Sequence, residues 1–140
     1  YIYSFTNYIN WPDTYKEGDF EILVLGDSPI IKELNAMAGA KKTPDNRTII
    51  ISKINTPAEI KKCNVIFVPS AKSKLLTEVI GKVGNQSILI ITEEDGMGAK
   101  GSNINFIIKD GKLAFELNQG SMTKQNLKAS TELSRLAIQI

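Results

Sequence analysis

The sequence predicts an α/β fold built as a single-domain three-layer sandwich over residues 1–140. Its central sheet is mostly parallel, ends in a C-terminal antiparallel hairpin, and carries helices on both faces. Three observations lead there. Four short, nearly continuous apolar runs alternate with amphipathic segments, the pattern of strands covered on both faces and joined by crossover helices. The last third switches to strict alternation around Asp110-Gly111, a two-residue turn whose twist suits a hairpin. A chain of 140 residues, 42% apolar and 23% charged, is one ordinary globular domain with one core.

The elements follow in order. Residues 1–11 place Phe5, Tyr8 and Ile9 at helical spacing, with Ile2 extending the stripe, and Pro12 ends that helix. Residues 13–19 are a polar connector. The run FEILVL at 20–25, closed by Gly26, is the first strand. Asp27 or Ser28 caps the next helix and Pro29 sits in its first turn. That helix turns Ile30, Ile31, Leu34 and Met37 inward and stops near Gly39. TIIISKI at 48–54 is the second strand, followed by a short helical turn over 57–62, and NVIFV at 64–68 is the third. Ser70 or Ser73 caps a helix carrying Leu75, Leu76, Val79, Ile80 and Val83, stopped by Gly84. SILIIT at 87–92 is the fourth strand, and the crossovers are expected to be right-handed. In the hairpin, Ile104, Phe106 and Ile108 share a face over 104–109, as do Leu113, Phe115 and Leu117 over 112–118. A final helix from about residue 121 is expected to bury Ala129, Leu133, Leu136 and Ile140 along one stripe.

Charge and residue usage exclude several function classes. Seventeen basic and fifteen acidic residues leave a net charge of +2, and only Arg47 and Arg135 among the basic ones are arginine. Arginine is the usual bidentate reader of bases and phosphates, so nucleic acid is not an expected partner. Histidine is absent. That removes the commonest general base and the triads built on it, and most catalytic zinc sites. Cys63 stands alone, so an intrachain disulfide and a thiolate metal site are both excluded. Beside an apolar run it reads as a buried inert thiol, with pairing to another chain as the alternative in an oxidising compartment. No run reaches the roughly twenty apolar residues that span a bilayer. A start at Tyr1 without methionine reads as a processed or trimmed form. The expectation is a non-enzymatic protein with neither cofactor nor metal.

The candidate sites lie in turns. The loop EEDGMGAKGSN at 93–103 interrupts a dense chain with Gly96, Gly98 and Gly101. Its backbone N–H groups can face an anion and Lys100 can add charge. Because Lys100 precedes Gly101 and a strand follows, it matches neither a Walker A loop nor a dinucleotide fingerprint. A strand connection needing positive φ is the plainer reading. The turn Gly26-Asp27-Ser28 sits where doubly wound sheets bind ligands, although its acidic residue argues against a pyrophosphate. A small-ligand pocket would be lined by Gly26, Ser70 and the loop glycines Gly96 and Gly98. Glu93, Glu94 and Asp95 offer oxygens to a hard cation but read more simply as solvated carboxylates. Met37, Met97 and Met122 suggest packing and one exposed loop position. Trp11 beside Pro12 closes the first helix on the core, or serves a partner if it is partly exposed.

Four separated stretches carry a family resemblance. They are the helix ending Phe5-Thr6-Asn7-Tyr8-Ile9-Asn10-Trp11-Pro12, the strand Ile22-Leu23-Val24-Leu25-Gly26, and Cys63-Asn64-Val65-Ile66-Phe67-Val68. The longest is the C-terminal half: the glycine loop into Ile104-Asn105-Phe106, then Phe115-Glu116-Leu117-Asn118 and Leu127-Lys128-Ala129-Ser130. In that order and spacing the chain resembles the YfiR-like family of small bacterial envelope proteins. The resemblance implies a periplasmic protein made with a cleaved signal peptide, and a homodimer. It also implies a regulator, since the family's namesake represses an inner-membrane diguanylate cyclase by binding its periplasmic part. Cyclic-di-GMP, and with it biofilm and motility behaviour, would then fall under its control. Some members carry several cysteines and are linked to redox sensing; with Cys63 alone, this chain departs from that pattern.

The leading expectation is therefore protein–protein contact with an inner-membrane signalling protein, a cyclase or a sensor kinase, one state of which is bound better than the other. Trp11, Met97 and Lys100 are the expected partner contacts, followed by Glu116 and Asn118 on the polar face of the hairpin. A periplasmic small-ligand sensor reporting to a sensor kinase is the alternative. An enzyme using Glu93, Glu94 and Asp95 with a metal comes third.

Overall fold

The computed structural model describes residues 2–140. Helix α1 (Ile2–Tyr8) gives way to a short strand, β1 (Ile9–Asn10), three residues before the expected helix end at Trp11. The sequence position just before Pro12 disfavours helical backbone. The extended residues instead find partners in β8 (Lys128–Ala129), antiparallel, with Ile9 opposite Ala129 and Asn10 opposite Lys128. The expected helical position at residue 1 lies outside the described residues.

The main elements are β2 (Phe20–Leu25), α2 (Ile30–Ala40), β3 (Ile49–Ile54), β4 (Val65–Val68), α3 (Leu76–Val83), β5 (Leu89–Thr92), β6 (Ile104–Lys109) and β7 (Lys112–Leu117). They are followed by α4 (Gln119–Lys124), α5 (Thr131–Leu136) and β9 (Ile138–Gln139). Among the described residues, seven strands form one sheet in the order β3-β2-β4-β5-β6-β7-β9. The pairings from β3 through β6 are parallel, β6 and β7 are an antiparallel hairpin, and β9 runs parallel to β7. The expected α/β sandwich is what the chain forms.

Alternation along the strands divides the apolar side chains into two cores. Ile22, Val24, Val65, Phe67, Leu89 and Ile91 face α1, α2 and the C-terminal segments, where they meet Phe5, Leu34, Met122 and Leu133. Their neighbours Leu23, Leu25, Ile66, Val68 and Ile90 face the other way, onto Leu76, Val79 and Val83 of α3. This two-sided burial is why the parallel strands are apolar at nearly every position.

Two local expectations need correction, the C-terminal helix and the α3 cap, while at α2 one of two alternatives is chosen. The single C-terminal helix is instead α4, β8, α5 and β9. Asn126 at φ 56° takes the left-handed conformation that ends a helix. Ser130 restarts one by accepting the Leu133 N–H at 3.2 Å. Leu133 is buried as expected, whereas Ala129 lies half-buried in β8 and Leu136 and Ile140 are 67% and 47% exposed. At α2, Ser28 does the capping, its hydroxyl accepting the Ile30 N–H at 3.3 Å, while Asp27 pairs with Lys53 at 2.8 Å. Neither Ser70 nor Ser73 caps α3. A 3₁₀ turn, Ser70–Leu75, leads into it through backbone bonds.

Candidate functional site

The glycine loop, residues 93–103, joins the parallel neighbours β5 and β6, and a chain of buried amides and hydroxyls fixes both of its ends. Asn103 takes the Ile90 N–H on Oδ1 at 2.6 Å and donates through Nδ2 to Ser121 Oγ at 2.9 Å and Gln125 Oε1 at 2.8 Å. Gln125 Nε2 donates to Ile88 O at 2.5 Å, and Ser87 Oγ donates to Gln125 O at 2.6 Å. Two strand positions along, Thr92 Oγ1 lies 2.8 Å from Ser102 Oγ and 2.7 Å from Asn105 Oδ1. Ser87, Thr92, Ser102, Asn103, Asn105 and Gln125 are all buried. A satisfied buried network specifies one arrangement, because any slip orphans its members at a cost of about 1–3 kcal/mol each. Sequence reading passed over it. The available signal was the Asn-x-Asn pair at 103 and 105, polar residues set at strand spacing in an apolar stretch.

The loop then packs against the far side of the hairpin. Gly96 and Gly101 take φ values of 85° and 118°, which agrees with a strand connection that needs positive φ. Gly98 serves close approach: a Cβ there would stand 2.7 Å from Ile140 Cδ1 and 2.9 Å from Glu116 Oε1. Asn118 Nδ2 donates to Gly98 O at 3.0 Å, and Asn105 Nδ2 to Glu116 Oε1 at 3.1 Å. Three of the residues singled out in the sequence therefore meet at one place: Gly98, Glu116 and Asn118. Asn105 and Ile140 join them unforeseen. Lys100 is exposed on the same loop and Met97 is buried beneath it, not offered at the surface.

Trp11 belongs elsewhere, and its expected exposure is not met. It is buried, its ring edge-on to Phe20 at 5.2 Å and its Nε1 donating to Asn64 O at 3.1 Å. It closes the first segment onto the core.

At the carboxyl ends of β2 and β4, where the strand order reverses, Gly26 has φ 86°. The Lys72 stem covers it so closely that a Cβ would meet Lys72 Cε at 2.8 Å. The Ser70 N–H donates to Glu93 Oε2 at 2.9 Å. Gly26 and Ser70 thus sit at neighbouring strand ends as expected, but Gly96 and Gly98 belong to the loop packed on β7. Asp27 is held below the ordinary carboxyl range by its hydrogen bond to Lys53 and the Lys53 charge, with Lys72 adding to it. Glu93 is tied to the β4 turn, and among the described residues no three acidic or cysteine side chains gather to hold a metal ion. Cys63 is buried, and burial pushes its thiol up from 9.0 to about 12, with the Glu21 charge adding to the effect.

The comparison with family models now decides the affiliation, because a single model, described as YfiR/HmsC-like, matches residues 1–138. The chain belongs to the YfiR/HmsC-like family. That match spans every stretch on which the resemblance rested, from the aromatic first helix to the last strand. The YfiR/HmsC-like family is one of periplasmic, non-catalytic regulators of membrane signalling proteins. A search among curated proteins returns no match. Among the described residues, no helix is long and apolar enough to cross a membrane.

Proposed function

We propose that this protein is a periplasmic regulator that binds the periplasmic part of an inner-membrane diguanylate cyclase and represses it, so that cyclic-di-GMP falls. The contact surface is the glycine-loop face: exposed Lys100, half-buried Glu116 and Asn118, and the partly exposed Ile140 lying over Gly98. The observation that supports this reading best is the hydrogen-bonded anchoring of the loop in that face. Its backbone is anchored from below by the buried Asn103–Gln125 network, and apolar, cationic and anionic groups are displayed together on it. A loop held in one conformation loses little entropy on binding. It can then favour one state of a partner; a tenfold bias requires about 1.4 kcal/mol. Trp11 and Met97 contribute from beneath by shaping the first segment and the loop.

Crosslinking in cells of the tagged, exported protein, followed by mass spectrometry of the envelope fraction, tests this. One inner-membrane cyclase is expected, with its recovery reduced about tenfold or more by Ile140→Arg combined with Lys100→Glu. Both positions are at the surface, so the double variant should keep the parent's circular dichroism. Recovery of the protein alone at native expression sinks the proposal. Recovery of a sensor kinase would keep the regulator and replace the cyclase.

A further inference from the structure

A second surface lies on the α1–α2 side of the sheet and does not depend on the partner reading. Where α1, α2 and the β6–β7 hairpin approach the carboxyl ends of β4 and β5, they leave a groove of about 340 Å³. Leu34, Met37, Phe67, Phe106 and Leu113 make its apolar walls. Parallel sheets bind small molecules at the carboxyl ends of their strands, and a hollow of about 300 Å³ or more is large enough for one. The hairpin's apolar face also runs past the cover that α1 provides. Leu113 is 49% exposed, and Ile108, its cross-strand partner, is 69% exposed.

The groove's charge decides what it would take. Two of its lining residues are carboxylates, Glu33 from α2 and Glu93 from the end of β5, and among the described residues no lysine or arginine lines it. Glu93 is fixed in place because its Oε2 accepts the Ser70 N–H at 2.9 Å. Lys41 touches one wall residue, standing 4.6 Å from the centroid of the Tyr3 ring, which shows that ring accepting a cation. We infer that the groove binds a small organic cation with an apolar body, an arylalkylamine in chemical class. Its ring would sit among Leu34, Met37, Phe67 and Phe106 and its ammonium at Glu33 and Glu93. Apolar walls supply the affinity, and the two carboxylates select the sign of the charge.

The test is a titration of the full chain by methyl NMR with three probes of one shape: 2-phenylethylammonium, neutral 2-phenylethanol and anionic 3-phenylpropionate. The amine should shift the methyls of Leu34, Met37 and Leu113 saturably. It should bind about fivefold tighter than the alcohol at low salt, with the carboxylate weakest. In the Glu33→Gln, Glu93→Gln double variant this order should collapse to near equality. Both sites are exposed, and an amide at position 93 still offers an oxygen to the Ser70 N–H, so the fold should stand. Equal binding of all three probes, shifts centred elsewhere, no saturable binding, or an amine preference that survives the double variant would overturn the proposal. So would groove shifts that follow protein concentration without any amine, which would assign the groove to a second copy of the chain.

Discussion

Asn64 makes more of its short side chain than any neighbour on its strand. Buried just before β4, it donates through Nδ2 to Tyr15 O at 2.8 Å and accepts the Glu21 N–H on Oδ1 at 3.2 Å. Its carbonyl takes the Trp11 indole N–H and the Leu89 N–H, at 3.1 and 2.9 Å. One amide thus joins the connector after α1 to three strands. Arg47 closes the same corner, its guanidinium donating to the carbonyls of Gly18 and Asp19 while it stands over the Phe20 ring. Truncating the amide would leave part-buried groups unpaired on both sides of it, so Asn64→Ala should cost about 2–3 kcal/mol. Trp11→Phe removes one donor and leaves the Asn64 carbonyl bonded to Leu89, so about 1 kcal/mol is expected. Urea denaturation of both variants checks the order; equal losses would mean that the indole, not the amide, holds the corner. The sequence shows an asparagine opening an apolar strand, but its partners lie up to 53 residues away. Partners so distant in the chain leave no trace in local spacing.

At the scale of elements, two glycines of one loop are glycine for different reasons, and substitution separates them. Gly96 has φ 85° and open space around it, so alanine there meets only backbone strain, about 1 kcal/mol. Gly98 has ordinary backbone but no room, since a methyl must displace Ile140 Cδ1 and push on Glu116 Oε1. Gly98→Ala should cost about 1–3 kcal/mol and free the Ile140 side chain, whereas Gly96→Ala should leave that methyl unmoved. Thermal unfolding and the Ile140 methyl resonance read these two effects; an undisturbed Ile140 in Gly98→Ala would refute the close packing. The three glycines were visible in the sequence, and the loop after β5 was placed by them. The C-terminal elements were not. Ala129, Leu133, Leu136 and Ile140 do fall at helical spacing, yet Ala129 lies in β8, Leu133 and Leu136 in α5, and Ile140 just past β9. A helical period in the sequence cannot register one left-handed asparagine at 126 that breaks the run. It cannot show either that extended backbone at 128–129 would find a partner strand at 9–10. The parallel body was legible because two-sided burial leaves apolar residues at consecutive positions, a signal that needs no knowledge of partners.

Over the whole molecule, stability should be graded from the middle of the sheet outward, and the grading bears on how a regulator could respond. β2, β4 and β5 are paired on both sides and covered on both faces, and their residues from Ile22 to Leu25, Val65 to Val68 and Leu89 to Thr92 are buried. The β1–β8 ladder has two residues in each strand, and β9 adds two more at the sheet edge beside exposed Leu136 and Ile140. Local opening follows such differences, because short ladders with little apolar cover separate without disturbing the core. Native-state hydrogen exchange should therefore divide the amides into two groups. Those of Leu23, Val24, Ile66, Phe67 and Ile90 should exchange only through global unfolding and share its dependence on denaturant. Those of Ile9, Ala129 and Gln139 should open with a weaker dependence and at lower free energy, by several kcal/mol. The Ile104 and Asn105 amides, between these groups in the sheet and held to the buried Asn103 network, should follow the core. That outcome would leave the glycine-loop face standing on a stable base while β9, which carries Ile140 to it, detaches separately. A partner that favours attached β9 would then have a two-state element to act on. Uniform protection out to Gln139 would remove that element, and binding at the glycine loop would have to act on the partner's conformation alone.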